Sequence, residues 1–159
     1  MSEVYKLGIS SNNNQQINEV NSIDVLANQG VIGDRHFKEF NDPYNQLSLI
    51  ESENIDYYNI KYGLNIPYID FRRNIITKGI QLNDLVGKKI LVGNVEVEGI
   101  DLCRPCRHLT EVLGQDNILK EFSSDLLQLL KKTYNHFDMG VFLTALDDGE
   151  ISIGNSIIL

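Results

Sequence analysis

Short apolar runs separated by glycine and asparagine turns recur along this chain, and they restrict its fold more than any other feature. In the run 95–100, valines and an isoleucine alternate with glutamates directly after the two-residue turn Gly93-Asn94. A turn of this kind between two alternating runs is typical of a β-hairpin. The strand-like runs do not alternate with helical ones, which disfavours a doubly wound α/β fold. The pattern therefore predicts a mainly β fold with peripheral α-helices, arranged as a closed or strongly bent β-barrel.

The predicted strands fill most of the first hundred residues and the C-terminus. They cover residues 4–9, one or two segments within 17–26, and residues 46–50, 68–77, 88–92, 95–100, 140–146, 151–153 and 156–159. The last long strands, 140–146 and 151–153, are expected to pair with each other through the turn Asp147-Asp148-Gly149.

Two longer helices are predicted, besides a short one that follows the cysteines. The first covers residues 51–62 and ends at Gly63, a residue that suits a helix C-cap. The second covers residues 117–132, where apolar side chains recur at helical spacing. A single helical turn at 83–86, ended by Gly87, is a further helical segment that the pattern allows.

Length and charge narrow the class of protein. A chain of 159 residues is long enough for one domain, 1–159, with a hydrophobic core. Its net charge of −8 makes nucleic acid and anionic membrane surfaces poor partners. No apolar run approaches the roughly 20 residues of a membrane span. The N-terminus lacks the pattern of a signal peptide, so we expect a cytoplasmic protein with reduced thiols.

The two cysteines, Cys103 and Cys106, lie at the junction between a predicted strand and a predicted short helix. A zinc site needs two further ligands, which three scattered histidines supply poorly. A redox dithiol needs a βαβ context, which is missing here. Haem attachment needs a histidine directly after the second cysteine, and Arg107 occupies that position. Two interpretations are favoured: both cysteines are buried as small apolar residues, or one of them is a reactive or metal-ligating thiolate.

Cys106 is the better candidate for such a thiolate. Pro105 suits the first turn of a helix, which leaves Cys106 near the positive end of the helix dipole. Arg104 and Arg107 add positive charge next to it. These neighbours are expected to lower the pKa of the Cys106 thiol.

Two groups of cations could bind an anion. Arg72 and Arg73 are adjacent in a predicted strand, so one of them is expected to point inward and to need either a carboxylate or a ligand phosphate. The segment Gly33-Asp34-Arg35-His36 is either a turn with an Asp–Arg pair or a loop that places Arg35 and His36 over a site. With the thiolate, these arginines suggest a ligand that has a phosphate at one end and a sulfur-loving metal at the other.

An ordered set of short motifs in residues 20–159 resembles the MOSC domain, which is named for the C-terminal part of molybdenum cofactor sulfurases. The motifs are Gly33-Asp34-Arg35-His36, Phe71-Arg72-Arg73-Asn74-Ile75, Leu85-Val86-Gly87-Lys88, Val92-Gly93-Asn94-Val95, Cys103-Arg104-Pro105-Cys106, Gly140-Val141-Phe142, Asp148-Gly149-Glu150-Ile151 and Gly154-Asn155. The resemblance implies a β-barrel like that of the pyruvate kinase β-barrel domain. It also implies that the protein binds molybdenum cofactor or handles sulfur for it.

The resemblance assigns roles to four residues. Cys106 would be the metal ligand or the sulfur carrier. Arg72 and Asn74 would hold the pterin and its phosphate, and Arg35 would join them. Cys103 has no required role in the family pattern. The sequence contains no pyridoxal-phosphate-dependent desulfurase domain and no counterpart of the N-terminal extension of the mitochondrial amidoxime-reducing enzymes.

Three hypotheses for the function follow. The first is a protein that binds molybdenum cofactor (molybdopterin) or carries sulfur, with Cys106 as metal ligand or persulfide site and a desulfurase as partner. The second is a molybdenum-dependent reductase of N-hydroxylated compounds, which would take electrons from separate electron-transfer proteins because the chain shows no flavin, haem or iron–sulfur motif. The third is a non-catalytic binding or interaction module that retains the fold but has lost the site, so that Cys106 would be buried and inert. Under the first two hypotheses the expected partner is a pterin cofactor or another small molecule.

Overall fold

The computed structural model describes residues 1–12, 16–38, 46–103 and 140–159, and these ranges are mainly β. Their strands are β1 Glu3–Ile9, β2 Asn18–Val20, β3 Ser22–Leu26, β4 Gly30–Val31, β5 Leu47–Glu51, β6 Ile75–Lys78, β7 Lys89–Val92, β8 Val95–Leu102, β9 Val141–Ala145, β10 Gly149–Ser152 and β11 Ile157–Ile158. The helical segments of the same ranges are α1 Ser52–Tyr62 and two 3₁₀ turns, Tyr68–Phe71 and Leu82–Leu85.

Eight strands form one strongly curled sheet in the order β11-β7-β8-β9-β5-β6-β1-β2. The sheet curls until the start of β1 meets the segment around β11. There the Val4 N–H donates to the Asn155 carbonyl at 2.8 Å, and the Ile157 N–H donates to the Ser2 carbonyl at 2.9 Å. Closure of this kind satisfies backbone groups that an open sheet would leave at its edge. The predicted strongly bent β-barrel is confirmed.

The interior of the barrel is apolar because its strands alternate. In β8, Val95 and Val97 are fully buried, whereas Glu96 and Glu98 are partly exposed. Each apolar side chain of this size stabilises the fold by about 1.5–3 kcal/mol when it is fully buried. The same core takes residues from nearly every strand, including Leu7, Leu49, Ile75, Ile90, Leu143 and Ile151.

The predicted pairing of residues 140–146 with 151–153 is wrong, although both strands exist. β9 pairs with β8 and β5, whereas β10 pairs with β3 in a second sheet of order β10-β3-β4. The turn between them bonds to other parts of the chain. Asp148 Oδ1 accepts from the Ala27 N–H at 2.7 Å, and Asp147 Oδ2 accepts from the Glu96 N–H at 3.2 Å. These carboxylates hold the turn against distant backbone instead of closing a hairpin.

The predicted single strand 68–77 is also wrong in its first half. Tyr68–Phe71 is a 3₁₀ helix that follows Pro67, and its C-cap Arg72 has left-handed backbone angles, φ 62° and ψ 35°. The strand β6 begins only at Ile75. Arg72 and Arg73 therefore lie in a turn, and the expectation that they face opposite sides of a strand no longer applies.

The predicted first helix is confirmed as α1. Ile55 and Tyr58 on its inner face are buried, and Gly63 ends it with φ 63°. The helical turn predicted at 83–86 is present one residue earlier, as Leu82–Leu85. The predicted helix 117–132 lies outside the described residues. Within the described ranges, no helix is long and apolar enough to cross a membrane.

Candidate functional site

The turn at Arg72 is the centre of the candidate site. Arg72 is buried, with 7% of its surface exposed, and its positive φ is unusual for a residue with a side chain. A non-glycine residue costs about 1–2 kcal/mol in this conformation. Burial lowers the pKa of the Arg72 guanidinium, the Asp34 carboxylate opposes that shift, and the neighbouring Arg73 adds to it.

The loop after β4 brings Asp34 and Arg35 against this turn. The Asp34 carboxylate is buried, and its Oδ1 accepts from the Ser10 N–H at 3.1 Å and from Arg35 Nη1 at 3.2 Å. Arg35 Nη2 donates to the Arg72 carbonyl at 3.0 Å. The structure thus confirms the Asp34–Arg35 pair and brings Arg35 and Arg72 together across 37 positions of sequence.

Asn74 links three strands from the other side of the turn. Its side-chain Oδ1 accepts from the Ser48 N–H at 3.2 Å, and its Nδ2 donates to the Gly8 carbonyl at 3.3 Å. Only 1% of its surface is exposed. Asn74 lies two residues after Arg72, and its polar groups bond to β1 and β5.

Cys103 follows β8 and packs in the cluster that contains Phe71 and Tyr58. Burial raises the pKa of its thiol to about 11, Arg73 opposes the shift, and Asp101 adds to it. Its N–H donates to the Gly140 carbonyl at 2.8 Å. A buried thiol of high pKa is a poor nucleophile.

Several predicted residues lie outside the described ranges. They are Cys106, its neighbours Arg104, Pro105 and Arg107, and the histidines His108 and His136. The role of Cys106 stays a prediction. In the described part of the chain, no group of three or more His, Cys, Asp or Glu residues is arranged to hold a metal ion.

Two contributors to the site were missed in the sequence. Ser48 is the hydroxyl-bearing residue of a strand whose five positions are all buried, and a buried hydroxyl needs a partner. Gly8 lies inside β1, where an added Cβ would overlap Ile69 and Ile17. Glycine inside a strand indicates that another group lies close to the backbone. Gly8 was therefore easier to predict from the sequence than Ser48.

The residues present fit the anionic end of a ligand. Asp34, Arg35, Arg72 and Arg73 include three guanidinium groups and one carboxylate, a formal charge of +2 in a protein whose net charge is −8. Guanidinium groups bind phosphate oxygens through paired hydrogen bonds. A phosphate-bearing ligand therefore matches the donor set in the described residues.

The sequence profile of the MOSC domain matches residues 33–158, most of the chain. The chain belongs to the MOSC domain family. Related MOSC proteins bind molybdenum cofactor. The matched range includes the positions that the resemblance singled out: Arg35, Arg72, Asn74 and Cys106.

Solved structures support the fold. The YuaD protein from Bacillus subtilis aligns with a TM-score of 0.73 and 17% identity over 99% of this chain and 94% of its own. YiiM from Geobacillus stearothermophilus aligns with a TM-score of 0.70 and 14% identity over 100% of this chain and 75% of its own. YiiM from Escherichia coli aligns with a TM-score of 0.62 and 18% identity over 99% of this chain and 67% of its own. A comparison with curated proteins found no match. At these identities the structural likeness establishes the MOSC-type barrel alone.

Proposed function

We propose that this MOSC protein binds molybdenum cofactor, with Arg72 at the phosphate of the pterin and Cys106 as thiolate ligand of the metal or as a persulfide carrier. The observation that carries the proposal is the buried Asp34–Arg35–Arg72 group, in which Arg35 bonds to the Asp34 carboxylate and to the Arg72 carbonyl, and the Asp34 charge opposes the fall in the Arg72 pKa. Burial of a cation is costly unless an anion compensates it, so an anionic ligand stabilises this arrangement.

The connection of the chain supports a role for Cys106 near these arginines. The Cys103 N–H donates to Gly140, so residues 104–139 leave and rejoin the sheet at adjacent points between β8 and β9. The charge of Arg73 opposes the rise in the pKa of the Cys103 thiol. Cys106 is three residues further along, and three residues extend at most about 11 Å. This spacing supports the proposal that one ligand contacts Arg72 through its phosphate and Cys106 through its metal.

The roles of the protein residues follow from their chemistry. When bound, the cofactor supplies a metal centre for oxygen, sulfur or electron transfer. The guanidinium of Arg72 would orient it by binding an anionic oxygen, and the thiolate of Cys106 would offer the soft ligand that such a metal takes. Asp34 offsets part of the positive charge of Arg35 and Arg72.

Metal analysis tests the proposal. Protein purified from a host that makes molybdenum cofactor should contain molybdenum, measured by inorganic mass spectrometry, together with the fluorescence of the oxidised pterin. Cys106→Ser should lose the molybdenum, whereas the matched control Cys103→Ser should retain it. Metal-free wild-type protein from this host would contradict cofactor binding.

The carrier version requires a desulfurase as partner and has its own test. After incubation with a cysteine desulfurase and cysteine, intact-peptide mass spectrometry should show a gain of one sulfur on Cys106 and none on Cys103. A wild-type protein without the adduct excludes this version. Should the metal be present instead, turnover of an amidoxime with an added electron donor decides whether the protein is a reductase.

A further inference from the structure

We infer that Arg35 and Asn74 are positioning residues that hold Arg72 in its left-handed backbone conformation, and that Arg72 is the one of the three that contacts the anionic group of the ligand. The inference rests on the proposed function, because it divides the roles within that site.

The guanidinium of Arg35 binds the protein at both of its terminal nitrogens. Nη1 donates to Asp34 at 3.2 Å and Nη2 donates to the Arg72 carbonyl at 3.0 Å, with only 8% of the side chain exposed. Asp34 is fixed in turn by the backbone N–H groups of Ser10 and His36. The planar fork of arginine can reach two acceptors at once, which the ammonium group of lysine does less well. Arg35 therefore fixes the direction of the Arg72 carbonyl.

Asn74 fixes the other end of the turn through reciprocal bonds. The Gly8 N–H donates to the Asn74 carbonyl at 2.9 Å while Asn74 Nδ2 donates back to the Gly8 carbonyl. Ser48 donates its N–H to Asn74 Oδ1, and its Oγ accepts from the Asn74 N–H, both at 3.2 Å. A ligand could reach the side-chain amide only by breaking these buried bonds, each of which is costly to leave unmade.

Between the two fixed ends, Arg72 has φ 62° although glycine would adopt this conformation with less strain. Strained residues persist where the surrounding structure over-determines them, and they cluster at ligand sites. Because glycine would suit the backbone better, the reason for an arginine at this position lies in its side chain. Asp34 pairs directly with Arg35 and also opposes the fall in the pKa of the Arg72 guanidinium, so the charge of one carboxylate acts on two cations.

The test uses full-length protein made in a host without cofactor synthesis, with inorganic pyrophosphate as the probe. Arg72→Gln should weaken pyrophosphate binding in calorimetry by about tenfold or more. Arg35→Lys keeps the charge but loses the fork, and should weaken binding by about threefold or more. In the Arg72→Gln background, Arg35→Lys and Ser48→Ala should have no further effect, since they act through Arg72. The charge control Lys89→Gln, at an exposed position of β7, should bind like wild type.

Nuclear magnetic resonance separates contact from positioning when Arg72→Gln abolishes binding. Pyrophosphate should shift the Nε–H signal of Arg72 and leave that of Arg35 unchanged. A shifted Arg35 signal, or wild-type affinity in Arg35→Lys, would overturn the inference. So would losses of pyrophosphate affinity that add up in the double variant, or a wild-type protein that binds no pyrophosphate. If pyrophosphate binds as expected but the holoprotein lacks molybdenum, the proposed function alone fails.

Discussion

Cys103 packs among the aromatic side chains of Phe71 and Tyr58, and this burial governs how its thiol responds to pH. In the folded protein its pKa is about 11, whereas the ordinary value is 9.0. The unfolded chain therefore loses the thiol proton at a lower pH than the folded chain. Between these two pKa values the unfolded state binds fewer protons, so the free energy of unfolding must fall as pH rises.

We expect wild-type stability to drop by about 1.4 kcal/mol between pH 8 and pH 10 from this group alone. Urea unfolding at both pH values measures it, and Cys103→Ala serves as the comparison because Tyr68, with its pKa raised to about 12 by its hydrogen bond to Asp56, is present in both proteins. The stability difference between wild type and variant should shrink by that amount at pH 10. An unchanged difference would contradict a buried thiol of high pKa.

At the same scale, the Asp34–Arg35 pair could be predicted from the sequence, but the left-handed backbone conformation of Arg72 could not. Guanidiniums in apolar surroundings signal an anion partner, and Asp34 and Arg35 are adjacent in sequence, so their pairing was foreseeable. The segment 68–77 is apolar and rich in strand-forming residues, which predicts an extended chain. Long-range bonds from Arg35 and from Ser48 override that local preference, and no local pattern reveals them.

Among the elements, most strand positions were predictable to within a few residues, with the segment 68–77 as an exception. Strand partners were predictable for the hairpin β7–β8 but not for β9 and β10. Alternation identifies β7 and β8, and the turn Gly93-Asn94 joins them as a hairpin. β9 and β10 are also adjacent in sequence, yet they enter different sheets. Asp147 and Asp148 decide this by bonding to backbone far away in the chain, a choice that depends on tertiary structure.

The junction of β5, β8 and β9 needs a glycine at position 140. Gly140 has φ 95°, and an added Cβ would overlap the Leu49 carbonyl of β5. Gly87 has a similar φ of 79°, but nothing lies within 4 Å of its added Cβ. We expect Gly87→Ala to lower the free energy of unfolding by about 1–2 kcal/mol, the conformational cost alone. Gly140→Ala should lower the free energy of unfolding by more than about 3 kcal/mol, because the backbone of β5 must also shift.

Urea unfolding of both variants measures the two costs, and circular dichroism checks that each retains the β spectrum. Equal losses would show that the β5 backbone yields easily at this junction. That result would contradict the close approach of Gly140 to the Leu49 carbonyl.

At the scale of the molecule, the barrel joins the two ends of the described chain. Residues 2–4 and 154–157 exchange backbone hydrogen bonds, so β11 completes the ring that β1 begins. The site residues are attached to this ring: Gly8 lies in β1, Ser48 in β5, and Asn74 immediately before β6. If the sheet no longer closes at β11, we therefore expect the Arg72 turn to lose stability as well, because β1 connects the two.

Ile157 and Ile158 offer a matched test of this coupling. Ile157 is 6% exposed and packs in the barrel core, whereas its neighbour Ile158 is 55% exposed. Ile157→Ala should lower the free energy of unfolding by about 2–5 kcal/mol, and Ile158→Ala by less than about 0.5 kcal/mol. Hydrogen exchange followed by nuclear magnetic resonance should show that Ile157→Ala also lowers the protection of the Gly8 and Asn74 amides. A closed ring opens as one cooperative unit, so their loss should match the loss of global stability. Reduced protection confined to β7 and β11, with both site amides unchanged, would mean that the barrel opens locally at its C-terminal strand and that the site does not depend on closure.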